Sequence, residues 1–251
     1  MPHSLFISDL HLCPTRPAIT ALFMRFVRDI APQAEALYIL GDFFEYWAGD
    51  DDLAEPFHTA ITDALAGLAQ QGTRIYLMHG NRDFLLSDAF MGAAQATLLP
   101  APLLLDLYGT PTLLMHGDTL CTDDVAYQQF RAMVRSAEWQ NNFLAQPLSQ
   151  RKAQIDELRK KSAQEKSGKS AEIMDVNSDA VENTLREHGY PRLIHGHTHR
   201  PARHVHTVDG KTCERWVLPD WYVSGGYLRC DAAGCVAHTL EISAEEAKHA
   251  R

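Results

Sequence analysis

The chain predicts an α/β fold, and three observations carry that reading. Short apolar strands alternate with longer helical stretches over the first half. A second run of strand-like segments fills the last sixty or so residues. Each of five strands is followed at once by a small polar cluster rich in Asp and His. Strand–helix alternation places successive strands side by side and parallel, because the intervening helix must cross back over the sheet.

In chain order, strands are predicted at 5–7, 36–40, 74–78 and 112–115, with helices around 18–30, 53–70 and 84–92. From about 123 to 188 the rhythm breaks into helices, with Phe130, Met133 and Val134 spaced for one face. The chain therefore divides into a core, 1–122, an inserted helical block, 123–188, and the rest of the core, 189–251. Inside the block, Arg151, Lys152, Arg159, Lys160, Lys161, Lys166 and Lys169 form one basic stretch, a solvated helix face or a binding surface. Strand signals resume at 192–194, 204–208, 216–218, 221–223, 227–230 and 236–240. Asp209-Gly210 reads as a two-residue hairpin turn. The tail, 243–251, is a short helix or a frayed end.

Composition narrows the function. With 251 residues the chain has ample apolar content for one large core. A formal charge of −9 gives no broad cationic field, so nucleic acid is not expected as a partner. Five cysteines (Cys13, Cys121, Cys213, Cys230, Cys235), with no CxxC pair, argue against a disulfide framework and a thiolate zinc site, and so for a reducing compartment. The N-terminus lacks the pattern of a signal peptide, and no run approaches the roughly 20 apolar residues of a membrane span.

The five clusters are Asp9-Leu10-His11, Gly41-Asp42, Gly80-Asn81-Arg82-Asp83, His116-Gly117-Asp118 and Gly196-His197-Thr198-His199. In an open α/β sheet the carboxyl ends of the strands share one edge, where such residues converge. Singly, an Asp after a strand is a turn or helix-cap residue and a lone His a surface or hydrogen-bonded one. Five in this order point instead to metal ligation by oxygen and nitrogen: Asp9, His11, Asp42, Asn81, His116, His197 and His199. That set is too large for one ion and suits two sharing a carboxylate. Two divalent ions would attract a phosphate and bring the pKa of a water between them towards ~7.

The order of these motifs resembles that of the calcineurin-like metallophosphoesterase superfamily. The resemblance implies a pair of packed sheets flanked by helices. It also implies one metal on Asp9, His11, Asp42 and His199 and another on Asp42, Asn81, His116 and His197, Asp42 bridging. Many superfamily members carry His after Gly-Asn, to protonate an alcohol leaving group; this chain has Arg82. Arginine cannot supply that proton. A phosphomonoester, with a second pKa of about 6, leaves without one. Arg82 can hold that phosphate bidentately, which favours a pyrophosphate as substrate.

Longer strings, among them Gly41-Asp42-Phe43-Phe44-Glu45-Tyr46-Trp47, Leu120-Cys121-Thr122-Asp123-Asp124, Glu172-Ile173-Met174-Asp175 and Gly196-His197-Thr198-His199-Arg200-Pro201, resemble the UDP-2,3-diacylglucosamine pyrophosphohydrolases of Gram-negative lipid A synthesis. That resemblance implies two Mn²⁺, catalytic roles for Asp9, Asp42, Asn81, Arg82 and His116, and water attack on the α-phosphorus to give UMP and the sugar 1-phosphate. It implies a helical lid over the lipid, with substrate contacts at Asn81, Arg82, Asp124, Ser162, Lys166, Lys169 and His197; Lys166 stands where that family has Asn. Peripheral association with the cytoplasmic face of the inner membrane is implied too, and a monomer is expected. Phe130, Trp139 and Phe143 are expected to pack lid on core, and Asp83 and Asp118 to orient metal-bound histidines or Arg82. The rival readings are another two-metal phosphodiesterase or nuclease of this fold and a non-catalytic binding scaffold.

Overall fold

The computed structural model describes residues 1–166 and 175–247, with side chains omitted over 161–166. One sheet contains β1 (Ser4–Ile7), β2 (Ala36–Ile39), β3 (Arg74–Leu77) and β4 (Ala96–Leu98), all parallel. Antiparallel β10 (Gly225–Asp231) and β11 (Gly234–Leu240) extend it beyond β1, giving the order β11-β10-β1-β2-β3-β4. The other sheet is made of β5 (Leu103–Leu107), β6 (Thr110–Leu114), β7 (Arg192–His195), β8 (Ala202–Val208) and β9 (Lys211–Val217), in the order β5-β6-β7-β9-β8. Both sheets are mixed: β1 to β4 are parallel, as are β6, β7 and β9, while β10, β11, β5 and β8 pair antiparallel at the edges.

Alternation along each strand builds the layers. In β1, Leu5 and Ile7 point to an outer core with Phe23, Phe26, Ile61, Leu65 and Phe90, while Phe6 points inward to meet Leu114, Ile194 and Leu218 of the second sheet. The outer core is closed by α1 (Pro17–Asp29), α2 (Pro56–Gln70) and α3 (Asp88–Ala94). Pro17 opens α1, and its buried residues Ile19, Leu22, Phe23, Phe26 and Val27 recur at helical spacing. Across the second sheet, α7 (Ser178–Glu187) buries Val181 and Leu185. The result is four layers, helix–sheet–sheet–helix.

Between β6 and α7 stand α4 (Val125–Val134), α5 (Ala137–Leu144) and α6 (Leu148–Lys166). Their attachment to the core is largely ionic. Arg151 is buried, donates to the Gln146 carbonyl at 3.0 Å, and pairs with the Ala48 carbonyl and Asp51. Lys152 meets Asp52 at 2.6 Å and Arg159 meets Glu45 at 2.9 Å. These three cations of the basic stretch thus pair with core acids, Arg151 buried and Lys152 and Arg159 partly exposed. Phe143 is buried and Trp139 stacks on it at 4.7 Å, as expected of packing, but Phe130 remains 38% exposed. Arg151→Ala should cost about 2 kcal/mol, discounted for the exposed Asp51, because it strands acceptors under the helix. Denaturant unfolding would read that loss.

Several boundaries and two larger expectations need correcting. β4 and β5 were not anticipated, and α2 and α3 begin at Pro56 and Asp88, after loops. Residues 221–223 form no strand: the chain is crossing from β9 in one sheet to β10 in the other, and it buries Trp221, whose indole donates to the Gly226 carbonyl at 3.1 Å. Asp209 and Gly210, both with positive φ, make the hairpin turn between β8 and β9 as read. Cys230 and Cys235 are disulfide-bonded, while Cys13, Cys121 and Cys213 are free and buried. An odd cysteine count could not see that β10–β11 register places those two opposite one another. No helix among the described residues is long and apolar enough to cross a membrane.

Candidate active site

The polar clusters sit beyond the carboxyl ends of β1, β2, β3, β6 and β7, three from one sheet and two from the other. Backbone bonds lock these loops together: His11 N donates to the Asp42 carbonyl at 2.9 Å, Gly196 N to the His116 carbonyl at 2.8 Å, and Trp221 N to the Asp9 carbonyl at 3.0 Å. Asp9, His11, Asp42, His197 and His199 all adopt left-handed backbone conformations, with φ from 49° to 69°. Non-glycine residues hold such conformations at a cost, and they cluster where side chains must be aimed.

The side chains converge in two groups. Asp9, His11 and His199 form one, with His199 Nε2 3.4 Å from Asp9 Oδ1 and 3.4 Å from His11 Nε2. In the other, Asn81 Oδ1 lies 3.0 Å from His116 Nε2 and 2.9 Å from His197 Nδ1. Asp42 stands between them, Oδ2 3.8 Å from His11 Nε2 and Oδ1 3.7 Å from His116 Nε2. The seven predicted ligands therefore come together, with Asp42 between the two groups and Asp9 also within reach of Asp42 and His116.

The donor chemistry fits cations. Asp9 and Asp42 are buried, and among the described residues neither has a Lys or Arg ion pair and Asp9 Oδ1 has no hydrogen-bond partner. Such a carboxylate oxygen needs a cation to offset its desolvation. Burial, reinforced by Asp83 and Asp9, pushes the Asp42 carboxyl well above its usual range despite the attraction of His116. His116 Nδ1 donates to the Leu40 carbonyl at 2.9 Å, which leaves Nε2 with its lone pair turned towards Asn81 and Asp42.

A profile of calcineurin-like phosphoesterases matches residues 3–201. The chain belongs to that family. Proteins named UDP-2,3-diacylglucosamine hydrolase are similar over nearly full length. That of Aromatoleum aromaticum is 57% identical, the match covering 92% of this chain and 94% of the relative. That of Stenotrophomonas maltophilia is 49% identical over 94% and 98%, and that of Cellvibrio japonicus 48% identical over 96% and 100%.

Other expected positions of this phosphoesterase are distributed less simply. Arg82 follows Asn81, and its backbone N–H donates to Asp42 Oδ1 at 2.8 Å, so it lies beside both groups. Asp124 caps α4 by accepting from Tyr127 N at 3.1 Å. The side chains of Ser162 and Lys166, and the whole of Lys169, lie outside the described residues. Asp83 differs from expectation: it accepts from the backbone of Phe43 at 2.6 Å and Gly80 at 2.8 Å, shaping the loops rather than gripping a histidine or Arg82. Asp118 binds Arg131 at 2.6 Å and the Tyr127 hydroxyl at 2.9 Å, and Tyr127 stacks on His197. Asp118 therefore touches Tyr127, which stacks on His197, and its charge also acts on His116 and His197. Sequence reading assigned no role to Tyr127, Arg16, Glu45 or Tyr222, which stacks on His11 at 5.2 Å. Glu45 and Tyr222 each lie in or beside a motif, but nothing in their spacing marks them.

Proposed function

We propose that this chain hydrolyses the pyrophosphate bond of UDP-2,3-diacylglucosamine, giving UMP and 2,3-diacylglucosamine 1-phosphate. The observation that carries the reading is Arg82 after Asn81: its backbone N–H binds Asp42 at 2.8 Å, and its side chain, 4.0 Å from Glu45, is a guanidinium and not an acid. One Mn²⁺ is held by Asp9, His11, Asp42 and His199, the other by Asp42, Asn81, His116 and His197. Such a pair supplies charge for the phosphoryl oxygens and makes water acidic enough to attack near neutral pH. Arg82 binds and orients the phosphate that leaves with the sugar, as do Asn81 and His197. No proton donor is needed on that side, since a phosphomonoester leaves as its anion.

The helical block, 123–188, is the lid in this reading, and Asp124, Ser162, Lys166 and Lys169 are its candidate contacts to the sugar phosphate. Val125, Phe130, Met133, Leu144 and Leu158, all on α4 to α6 and 38–60% exposed, favour acyl chains and the surface of the inner membrane as neighbours of this lid. Turnover in ¹⁸O-water tests the chemistry. Label is expected in UMP, from attack on the α-phosphorus; label in the sugar phosphate reverses the leaving group, and no turnover of this lipid rejects the substrate.

A further inference from the structure

Glu45 lies three residues beyond Asp42 in the loop after β2 and is nearly buried. Its carboxylate faces groups from three parts of the chain. Oε2 accepts from Arg16 Nη2 at 3.1 Å and stands 3.5 Å from His11 Nδ1. Among the described residues that nitrogen has no hydrogen-bond partner, and Glu45 Oε2 is a carboxylate oxygen within 4 Å of it. Oε1 accepts from Arg159 Nη2 on α6 at 2.9 Å and lies 4.0 Å from Arg82 Nη1. Arg16 also donates to the His11 carbonyl.

One carboxylate thus faces three guanidinium groups at the margin of a site whose ligands suit dications. Without it, Arg16, Arg82 and Arg159 would repel one another and any cation nearby, in a setting too buried for water to screen them fully. His11 has a second need. Its Nε2 faces His199 and Asp42, so the ring delivers that nitrogen only while Nδ1 carries the proton, and Glu45 is the acceptor in reach. Among the described side chains of α6, Arg159 reaches the same carboxylate, so the seating of α6 and the aim of His11 share one anchor.

Building on the phosphohydrolase reading above, we propose that Glu45 is a positioning residue joining the metal centre to α6. It fixes His11 for ligation and holds Arg82 and Arg159 together where a substrate phosphate arrives. The phosphate then takes over neutralising the guanidinium groups, so Glu45 sets both metal affinity and the electrostatic fit of the incoming dianion.

The test compares Glu45→Gln and Arg159→Leu in the full chain. Direct Mn²⁺ titration of Glu45→Gln should show affinity weakened by about 10- to 100-fold, the usual effect of removing a carboxylate behind a metal-bound histidine. Its hydrolysis of bis-p-nitrophenyl phosphate should recover with excess Mn²⁺. Arg159→Leu should bind Mn²⁺ like the unmodified chain but show a raised KM for UDP-2,3-diacylglucosamine. Should Glu45→Gln not fold, Glu45→Asp keeps the charge but withdraws it by one methylene, and the same loss of affinity is expected. Unchanged Mn²⁺ affinity in whichever variant folds overturns the proposal. An unmodified chain that ignores the lipid substrate would defeat the substrate reading while leaving the Mn²⁺ comparison intact.

Discussion

Asp42→Ala is expected to lower hydrolysis of UDP-2,3-diacylglucosamine by at least ~10³-fold while the chain stays folded. The size follows from position: Asp42 stands within 4 Å of a histidine in each ligand group, at 3.8 Å from His11 and 3.7 Å from His116. Removing any other candidate ligand weakens one group, whereas removing Asp42 leaves both short of a carboxylate. Losing charge stabilisation from two ions at once removes several kcal/mol from the transition state, and about 1.4 kcal/mol is tenfold in rate. Folding should tolerate the change, because a buried carboxylate with no Lys or Arg partner stabilises little by itself. The variant should therefore melt near the unmodified chain in chelator, yet gain much less stability on adding Mn²⁺, since ligand binding to the native state raises its melting temperature. Turnover at the original rate would refute the shared-carboxylate arrangement.

The seven converging ligands were legible in the sequence because their signal is positional. Each follows an apolar strand, and strands of one sheet deliver their ends to one edge. What was not legible is how finely they are aimed. The left-handed backbone at Asp9, His11, Asp42, His197 and His199 has no composition signature, since these are not glycines. It is imposed by bonds such as Asp9 N to the Gly41 carbonyl, which exist only after the sheets assemble. Glu45, Tyr127 and Arg16 escaped for a related reason: they act across loops, and a pair such as Glu45 and Arg159 is visible only when α6 is docked. The acidic run Asp50-Asp51-Asp52 carries no mark in the sequence that it receives Arg151 and Lys152. Likewise, residues 221–223 have strand-like composition, because a chain that crosses between sheets while burying Trp221 needs the same apolar residues as a strand.

Gly196→Ala should cost at least ~10²-fold in activity although it adds only one methyl group. Gly196 needs no left-handed backbone; its constraint is space. A Cβ there would fall 2.7 Å from Ser8 Cβ and closer still to Asp9 Oδ2 and Ser8 Oγ. Those atoms cannot yield cheaply. Ser8 Oγ donates to Asp9 Oδ2 at 2.6 Å, and the same oxygen accepts from His197 N at 2.9 Å, so pushing Asp9 aside also moves the loop that carries His197 and His199. A displacement of about 1 Å in a positioned group is enough for a hundredfold loss. Gly67, within α2 and with nothing inside 4 Å of an added Cβ, provides the contrast. Gly67→Ala should leave activity unchanged and stabilise the helix by about 0.5–1 kcal/mol. If Gly196→Ala retained full activity and Mn²⁺ affinity, the close packing of the two ligand loops would not be what aims Asp9, and the aim would have to come from its backbone conformation alone.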